Sequence, residues 1–109
     1  MKVTASASRL QGIVDVPASK SHTIRGLIFG ALASGTSEIG FPLDSSDTRS
    51  CASVIQQFGA GLEKQDNCWI VTGTEGRPLV PENILDVGNS GTTLYMILGT
   101  ASLVNGWAV

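Results

Sequence analysis

Apolar residues recur at helical spacing in three parts of the chain, and each part has start and stop signals. The first part follows a serine-rich start and ends at Ser34-Gly35. Its apolar positions fall at i, i+3, i+4, i+7 and i+8, and they are Ile24, Leu27, Ile28, Ala31 and Leu32. This spacing predicts an amphipathic helix of about three to four turns.

A second helix is predicted from the segment SSDTRS, where Ser46 or Asp47 can cap it, to Gly59 as the first residue past its end. A third is predicted from the segment GNSGTT to Asn105-Gly106. The apolar residues of this third helix point to nearly all of its sides, so we expect the helix to be buried on most sides. They are Leu94, Tyr95, Met96, Ile97, Leu98, Ala101, Leu103 and Val104.

Short runs with strand character lie between the helices. They predict strands at residues 3–7, 12–16, 36–40, 61–64, 68–72 and 84–87, and the two runs that flank KQDN predict a hairpin. Strands and helices alternate along the chain. We therefore expect an α/β (α+β) architecture with helices layered on a sheet.

The chain also resembles itself at an offset of 71 residues. The segments DVPASKSHTIRGLIFGALASG and DVGNSGTTLYMILGTASLVNG share six identities over 21 residues, among them Ser19 with Ser90 and Gly35 with Gly106. A unit of strand, serine-rich turn and helix is therefore expected twice. The final segment, GWAV, is interpreted as a further strand, and we expect the chain to stop shortly after the second unit begins.

Composition narrows the class of protein. A chain of 109 residues with 42% hydrophobic content can bury a core. Its net charge of −2 makes nucleic acid an unlikely partner, because such binding requires many cations against phosphates. We expect no membrane association and a cytoplasmic protein, since the longest apolar stretch, residues 94–104, is short and interrupted. Cys51 and Cys68 lack metal-ligand spacing and are expected to be free thiols.

Two cations stand at an unfavourable place in the first helix. Lys20 and Arg25 lie in or near its first turn, where unpaired N–H groups repel a cation by about 0.3–1 kcal/mol. Hydroxyl residues and glycines accompany them here and at the start of the third helix. Free N–H groups, hydroxyls and cations together predict a site for a phosphate or carboxylate. The hydroxyl residues and glycines are Ser19, Ser21, Thr23, Gly88, Ser90, Gly91, Thr92 and Thr93.

Each of these residues also has a purely structural interpretation. The serines and threonines can be ordinary helix caps, Lys20 can extend into solvent, and Gly91 can serve only the turn. His22 is the sole histidine and has no assignable catalytic partner. Asp44 and Asp47 look like paired carboxylates, but turn and cap roles are more typical of such positions.

The segments PASKSHTIRG, LDSSDT, FGAG and GNSGTT, in this order, resemble the amino-terminal portion of the 5-enolpyruvylshikimate-3-phosphate synthase family. The sister family that acts on UDP-N-acetylglucosamine normally has Lys-Asn at Lys20-Ser21, which favours the shikimate branch. The resemblance implies an inside-out barrel of two halves built from βαβαββ units. This chain would be a partial amino-terminal domain with one unit and the start of a second, and residues 1–16 are candidates for the other half.

The resemblance also implies ligands for named residues. Lys20, Ser21 and Arg25 would contact shikimate 3-phosphate, and Lys20, the one catalytic residue expected in this chain, would also reach phosphoenolpyruvate. Glyphosate would occupy the phosphoenolpyruvate place, close to Gly91. The reaction would need no metal or organic cofactor. The residues expected on the phosphoenolpyruvate side are Asn89, Gly91 and Thr92.

Two departures from the family pattern bear on activity. Tyr95 stands where family members usually carry Arg, so one positive charge near the anion site is absent. The residues that the resemblance assigns to proton transfer would lie beyond Val109, so the chain is expected to be inactive without the carboxy-terminal part of the enzyme. Two alternatives stay open at this point: a UDP-N-acetylglucosamine enolpyruvyl transferase, and a non-catalytic anion-binding or interaction module.

Overall fold

The structure, a computed structural model, describes residues 1–109. Three helices alternate with the strands of one sheet, which confirms the predicted mixed architecture. None of the helices combines the length and the apolar character needed to cross a bilayer. In chain order the elements are α1 (Lys20–Leu32), β1 (Thr36–Gly40), α2 (Ser46–Gln57), β2 (Gly61–Gln65), β3 (Cys68–Thr72) and α3 (Gly91–Ala101).

The sheet has the strand order β1-β3-β2, and both pairings are antiparallel. β2 and β3 form the predicted hairpin, with Gln65 opposite Cys68 next to the turn. The ammonium of Lys64 lies 4.2 Å from the ring centroid of Trp69, its cross-strand partner. This cation–π contact adds to the pairing of the two strands.

α2 begins one residue earlier than the predicted caps. Ser45, not Ser46 or Asp47, is the N-cap residue, and its hydroxyl accepts a hydrogen bond from the Thr48 N–H. The Thr48 hydroxyl in turn accepts from the Ser45 N–H at 2.9 Å, which completes a capping box. This reciprocal pair satisfies two unpaired N–H groups and therefore fixes Ser45 as the cap. The predicted end is confirmed, because Gly59 follows the helix with φ +94°.

α3 is shorter than predicted, ending at Ala101 rather than near Asn105. The Ser102 hydroxyl donates to the Gly99 carbonyl at 2.7 Å. The Leu103 N–H then donates to the Thr100 carbonyl at 3.0 Å, a bond of three-residue span that closes the last turn. These local bonds end the helix before its apolar sequence pattern ends.

Four predicted strands, at residues 3–7, 12–16 and 84–87 and at GWAV, are absent from the structure. A strand exists only when a neighbour supplies hydrogen-bond partners. Residues 1–18 make no backbone hydrogen bond to another residue, and their larger apolar side chains, such as Ile13 and Val14, are exposed. Between residues 84–87 and GWAV a single bond forms, from the Leu85 N–H to the Val109 carbonyl.

The core lies between α1, α2 and one face of the sheet. Two glycines on one side of α1 let this helix approach the sheet closely. A Cβ atom on Gly30 would lie 3.2 Å from Val71, and one on Gly26 would lie 3.2 Å from Ile39. The buried apolar residues are Ile24, Leu27, Ile28, Ala31, Cys51, Ala52, Val54, Ile55, Phe58, Ala60, Trp69, Val71 and Ile97.

α3 is not buried on most sides, contrary to expectation. It packs on α1 and α2 through one face that carries Thr93, Ile97 and Thr100. The opposite face is exposed, and Tyr95 and Leu98 are 77% and 59% accessible. No helix or strand of this chain covers these two side chains.

Candidate anion site at the helix starts

α1 begins as the sequence predicts. Ser19 is its N-cap, and the Ser19 hydroxyl accepts from the His22 N–H at 3.3 Å. Lys20 is the first helical residue, and Ser21 and Arg25 are four positions apart and so share one side of the helix. Lys20 and Arg25 are exposed, and Ser21 is half-buried. The first turn contains no acidic residue, so nothing within α1 offsets the repulsion between these cations and the helix dipole.

The offsetting charge for Lys20 comes from α2. The Lys20 ammonium donates to Oδ2 of Asp47 at 2.7 Å, an ion pair between residues 27 positions apart in sequence. Asp47 lies in the first turn of α2, where a carboxylate is favoured. The local sequence predicts a turn or cap role for Asp47 and does not indicate this ion pair, because only the tertiary fold brings the two helix starts together.

Arg25 has no such partner. The two ion pairs of the structure are Lys20–Asp47 and Arg49–Asp44, and none includes Arg25. The Arg49 guanidinium donates two hydrogen bonds to Asp44, at 2.7 and 3.2 Å, and this holds the pKa of the Asp44 carboxyl below its ordinary value. Asp44 and Asp47 therefore do not act as a carboxylate pair, because each is bound to a different cation.

α3 repeats the start of α1 at the same offset of 71 residues. Ser90 is its N-cap and accepts from the Thr93 N–H at 3.3 Å, as Ser19 does for His22. Ser90 is buried, however, and its hydroxyl also shares a 2.8 Å hydrogen bond with the Thr93 hydroxyl. The serine-capped helix of the predicted unit is therefore found twice, whereas the strand predicted before each helix is absent.

The glycines before and within α3 have different roles. Gly88 has φ +58° and forms the turn, where its N–H donates to the Asp86 carboxylate at 2.8 Å. Gly91 is the first residue of α3, has no positive φ, and an added Cβ there would meet no atom within 4 Å. The backbone therefore does not require glycine at position 91, which weakens the interpretation of Gly91 as a turn residue. Asn89 is exposed and Thr92 is half-buried beside it.

α2 connects the starts of the other two helices. Its first turn holds Lys20 through Asp47. One turn later, Cys51 lies near Thr93 of α3, and a Cβ on Gly88 would lie 2.8 Å from the Ser50 hydroxyl. The amino-terminal ends of all three helices therefore lie on one side of the molecule, and their positive dipole ends favour an anion there.

The predicted site residues form two groups on that side. No hydrogen bond or ion pair joins the group on α1 to the group on α3 directly, although the two helices pack against each other. A cleft of about 660 Å³ adjoins the start of α1, and His22 and Ser19 line it, whereas Lys20, Ser21 and Arg25 do not. No group of three His, Cys, Asp or Glu residues lies close enough to bind a metal. Cys51 is buried and Cys68 is half-buried, and both are free thiols, as predicted.

Comparison with known proteins shows the family of this chain. The family described as EPSP synthase (3-phosphoshikimate 1-carboxyvinyltransferase) matches residues 4–109. The chain belongs to the EPSP synthase family. The 3-phosphoshikimate 1-carboxyvinyltransferase of Acetivibrio thermocellus is 47% identical over 109 residues, and that of Halobacterium salinarum is 37% identical over 109 residues.

A solved EPSP synthase from Acinetobacter baumannii has the same local fold, with a TM-score of 0.76 and 28% identity over 84% of this chain. The chain spans about a quarter of the length of the relatives it matches, 26% of the Acetivibrio thermocellus protein and 25% of the Halobacterium salinarum protein. It covers 21% of the Acinetobacter baumannii chain. The residues found here are therefore one part of the family's fold.

Proposed function

We propose that the parent protein transfers the enolpyruvyl group of phosphoenolpyruvate to the 5-hydroxyl of shikimate 3-phosphate. The observation that carries this proposal is the family match across residues 4–109, together with relatives named for that reaction. The products are 5-enolpyruvylshikimate 3-phosphate and phosphate, formed by addition and elimination through a tetrahedral intermediate. A cytoplasmic location is part of the same proposal and rests on family membership alone.

The chemistry fits a site made of helix starts. Both substrates are anions, and negative charge is redistributed as phosphate leaves. Fixed N–H dipoles and cations stabilise such charge without having to reorganise during the reaction. The three helix ends on one side of the molecule offer these dipoles, and Lys20 and Arg25 offer full positive charges.

We assign Lys20, Ser21 and Arg25 to shikimate 3-phosphate. The ammonium of Lys20 has three N–H donors, and its single bond to Asp47 leaves two for a ligand. The guanidinium of Arg25 is exposed and outside every ion pair, so its bidentate edge is free for a phosphate. We also assign Lys20 to phosphoenolpyruvate, as the one catalytic residue of this chain.

We assign Asn89, Gly91 and Thr92 to phosphoenolpyruvate, and we place the inhibitor glyphosate in the same position. The open space around Gly91 supports this assignment, because a ligand can approach the backbone N–H groups of α3 there. A methyl group at Gly91 would project into that space. It should crowd glyphosate first and the normal substrate less. Tyr95 lies one helical turn further along and offers a hydroxyl in place of the usual Arg charge.

The isolated chain is proposed to bind substrate without converting it. It holds positioning and charge-stabilising groups, while the acid and base would belong to the rest of the parent protein. The exposed residues 1–16, which make no backbone hydrogen bonds here, are proposed to pair with that remaining part. Enolpyruvyl transfer by the purified 109-residue chain would refute this division of labour.

An NMR titration of the ¹⁵N-labelled chain with shikimate 3-phosphate tests the residue assignments. We expect saturable shifts at the amides of Lys20, Ser21 and Arg25 that Arg25→Ala abolishes. Arg77→Ala removes the same charge from an exposed loop position and is expected to leave the shifts intact. UDP-N-acetylglucosamine in a parallel titration is expected to move none of these amides. A well-dispersed spectrum that shikimate 3-phosphate does not perturb would contradict the assignments.

A further inference from the structure

The Lys20–Asp47 pair differs from an ordinary surface ion pair in how its two ends are held. The Lys20 side chain is 46% accessible, whereas that of Asp47 is only 17% accessible. Lysine carries its charge on a flexible four-carbon stem, and its usual state at a surface is mobile. Here the mobile cation meets a carboxylate that is largely enclosed and belongs to another helix.

The carboxylate is fixed by the local structure of α2. Asp47 lies in the first turn, immediately before Thr48 of the capping box. The positive end of the helix favours a carboxylate at this point, and the capping box holds the backbone of the turn. Asp47 therefore presents its oxygen from a rigid support.

A second contact sets the spacing between the two helices. The Leu43 N–H donates to the Thr23 hydroxyl of α1 at 3.0 Å, and the Leu43 carbonyl accepts from the Thr48 hydroxyl of α2 at 2.7 Å. Thr23 and Thr48 are both buried. Leu43 thus joins the first turns of α1 and α2 through both of its backbone groups, and the Lys20–Asp47 pair spans the gap that this clamp defines.

From these contacts we infer that Asp47 is a positioning residue, which holds the Lys20 ammonium where its two remaining N–H groups face an incoming anion. The Thr23–Leu43–Thr48 clamp maintains the distance at which it does so. This inference rests on the proposed function, because it takes Lys20 as a ligand of the substrate. It adds a role for a carboxylate that would otherwise repel that substrate.

The first test needs no ligand, so it stands even if the proposed substrate is wrong. The chain has only three lysines, Lys2, Lys20 and Lys64, so the ammonium ¹H–¹⁵N signals can be assigned with Lys20→Met. We expect a slowly exchanging Lys20 ammonium that is lost in Asp47→Ala and kept in Asp44→Ala. We expect the Lys20 ammonium signal to weaken in Thr23→Val, which lacks the hydroxyl that binds Leu43. We expect the signal to be kept in Thr23→Ser, which retains that hydroxyl. A Lys20 signal that is absent from the wild type, or unchanged by Asp47→Ala, would overturn the inference.

The second test uses the sign of an effect on affinity. Asp47→Ala makes the chain more positive, so simple charge attraction predicts tighter binding of shikimate 3-phosphate. Positioning predicts the opposite, a loss of about two- to five-fold, which is the magnitude typical of an exposed ion pair. Asp44→Ala, with the same change in charge, is expected to cause no loss. When Lys20 is already replaced in Lys20→Met, adding Asp47→Ala is expected to cause no further loss of affinity for shikimate 3-phosphate.

The outcomes separate this inference from the proposed function. Tighter binding by Asp47→Ala, or an equal loss in the presence and absence of Lys20, would overturn the positioning role while leaving shikimate 3-phosphate as the ligand. Absence of binding by the wild type would reject the proposed ligand, and the ammonium signals would then decide alone whether Asp47 holds Lys20.

Discussion

α1 and α3 are two copies of one serine-capped helix, yet they are buried to very different extents. At the offset of 71 residues, Ile24 and Leu27 of α1 correspond to Tyr95 and Leu98 of α3. The first two are fully buried, whereas Tyr95 and Leu98 are mostly exposed. The face of α1 that carries Ile24 and Leu27 packs in the core formed with α2 and the sheet. The corresponding face of α3 is not covered by any helix or strand of this chain. The same local sequence signal therefore specifies a helix, while burial depends on which neighbours are present.

The largest expected difference between the copies concerns their apolar faces. Leu27→Ala should lower the free energy of unfolding by about 2–5 kcal/mol, because it leaves a cavity in the core. Leu98→Ala at the corresponding position of α3 should change it by about 0.5 kcal/mol or less. Urea denaturation followed by circular dichroism measures both values. Equal losses would mean that the exposed face of α3 is covered, for example by a second copy of the chain.

A smaller difference is expected at the turn before α3, where Gly88 takes the place that Pro17 has before α1. Gly88→Ala should cost about 1–2 kcal/mol, because a Cβ is disfavoured at φ +58°. It would also meet the Ser50 hydroxyl. Gly91→Ala, with open space around its Cβ and a helical backbone, should be neutral or stabilising by up to about 1 kcal/mol. A destabilising Gly91→Ala would remove the argument that this glycine serves a ligand.

The two caps provide a finer comparison. Ser19→Ala should cost about 1 kcal/mol, the typical value for a lost N-cap. Ser90→Ala should cost more, about 1–3 kcal/mol, because it also leaves the buried Thr93 hydroxyl without one of its partners. The same urea measurements apply, and Ser→Thr at each position, which keeps a hydroxyl, serves as the matched control. A smaller decrease in the free energy of unfolding for Ser90→Ala than for Ser19→Ala would contradict the additional hydrogen bond of the second cap.

The smallest expected effect is chemical and concerns the contact between α2 and α3. Burial raises the pKa of the Cys51 thiol to about 11, although the nearby Thr93 side chain acts in the opposite direction. At pH 8 only about one Cys51 in a thousand is then a thiolate, so alkylation should be confined to the half-buried Cys68.

Mass spectrometry after a short iodoacetamide pulse identifies the modified cysteine, and the urea-unfolded chain, in which both should react, is the control. The pKa of Cys51 is higher in the folded chain than in the unfolded one. This contribution to stability is therefore present below about pH 9 and declines as the pH rises towards 11. Rapid alkylation of Cys51 at pH 8 would show that α3 separates readily from α2.

The helices and the hairpin could be predicted from sequence because their signals are local. Apolar spacing, serine caps and Gly59 mark the helices, and the polar KQDN segment marks the hairpin. The strands at residues 3–7, 12–16 and 84–87 could not be assigned correctly, because a strand depends on a partner that local sequence does not identify. The cap of α2 was predicted at Ser46 or Asp47 and lies at Ser45, because the reciprocal hydrogen bonds between Ser45 and Thr48 decide which residue caps the helix.

The site residues remain predictions, and they depend on the sequence in different ways. Lys20 and Arg25 follow from an electrostatic conflict within one helix, which is visible in the sequence, whereas Ser21 follows from its place on the same side of that helix as Arg25 and from the family resemblance. The partner that resolves it for Lys20, Asp47, lies 27 residues away and on another helix. Nothing in the local pattern connects the two, because the connection is made by the hydrogen bonds of Leu43 to buried threonines. Tertiary contacts of this kind are the part of the site that sequence reasoning misses.

The most direct test of the central claim is enolpyruvyl transfer by a chimera in which this chain replaces the corresponding 109 residues of the Acetivibrio thermocellus relative, with which it is 47% identical. Phosphate release from phosphoenolpyruvate and shikimate 3-phosphate would be measured for the chimera and for its Lys20→Met variant. We predict turnover that requires both substrates and is lost in Lys20→Met. A folded chimera that binds neither substrate, or whose turnover survives Lys20→Met, would contradict the assignment of the helix starts as a substrate site.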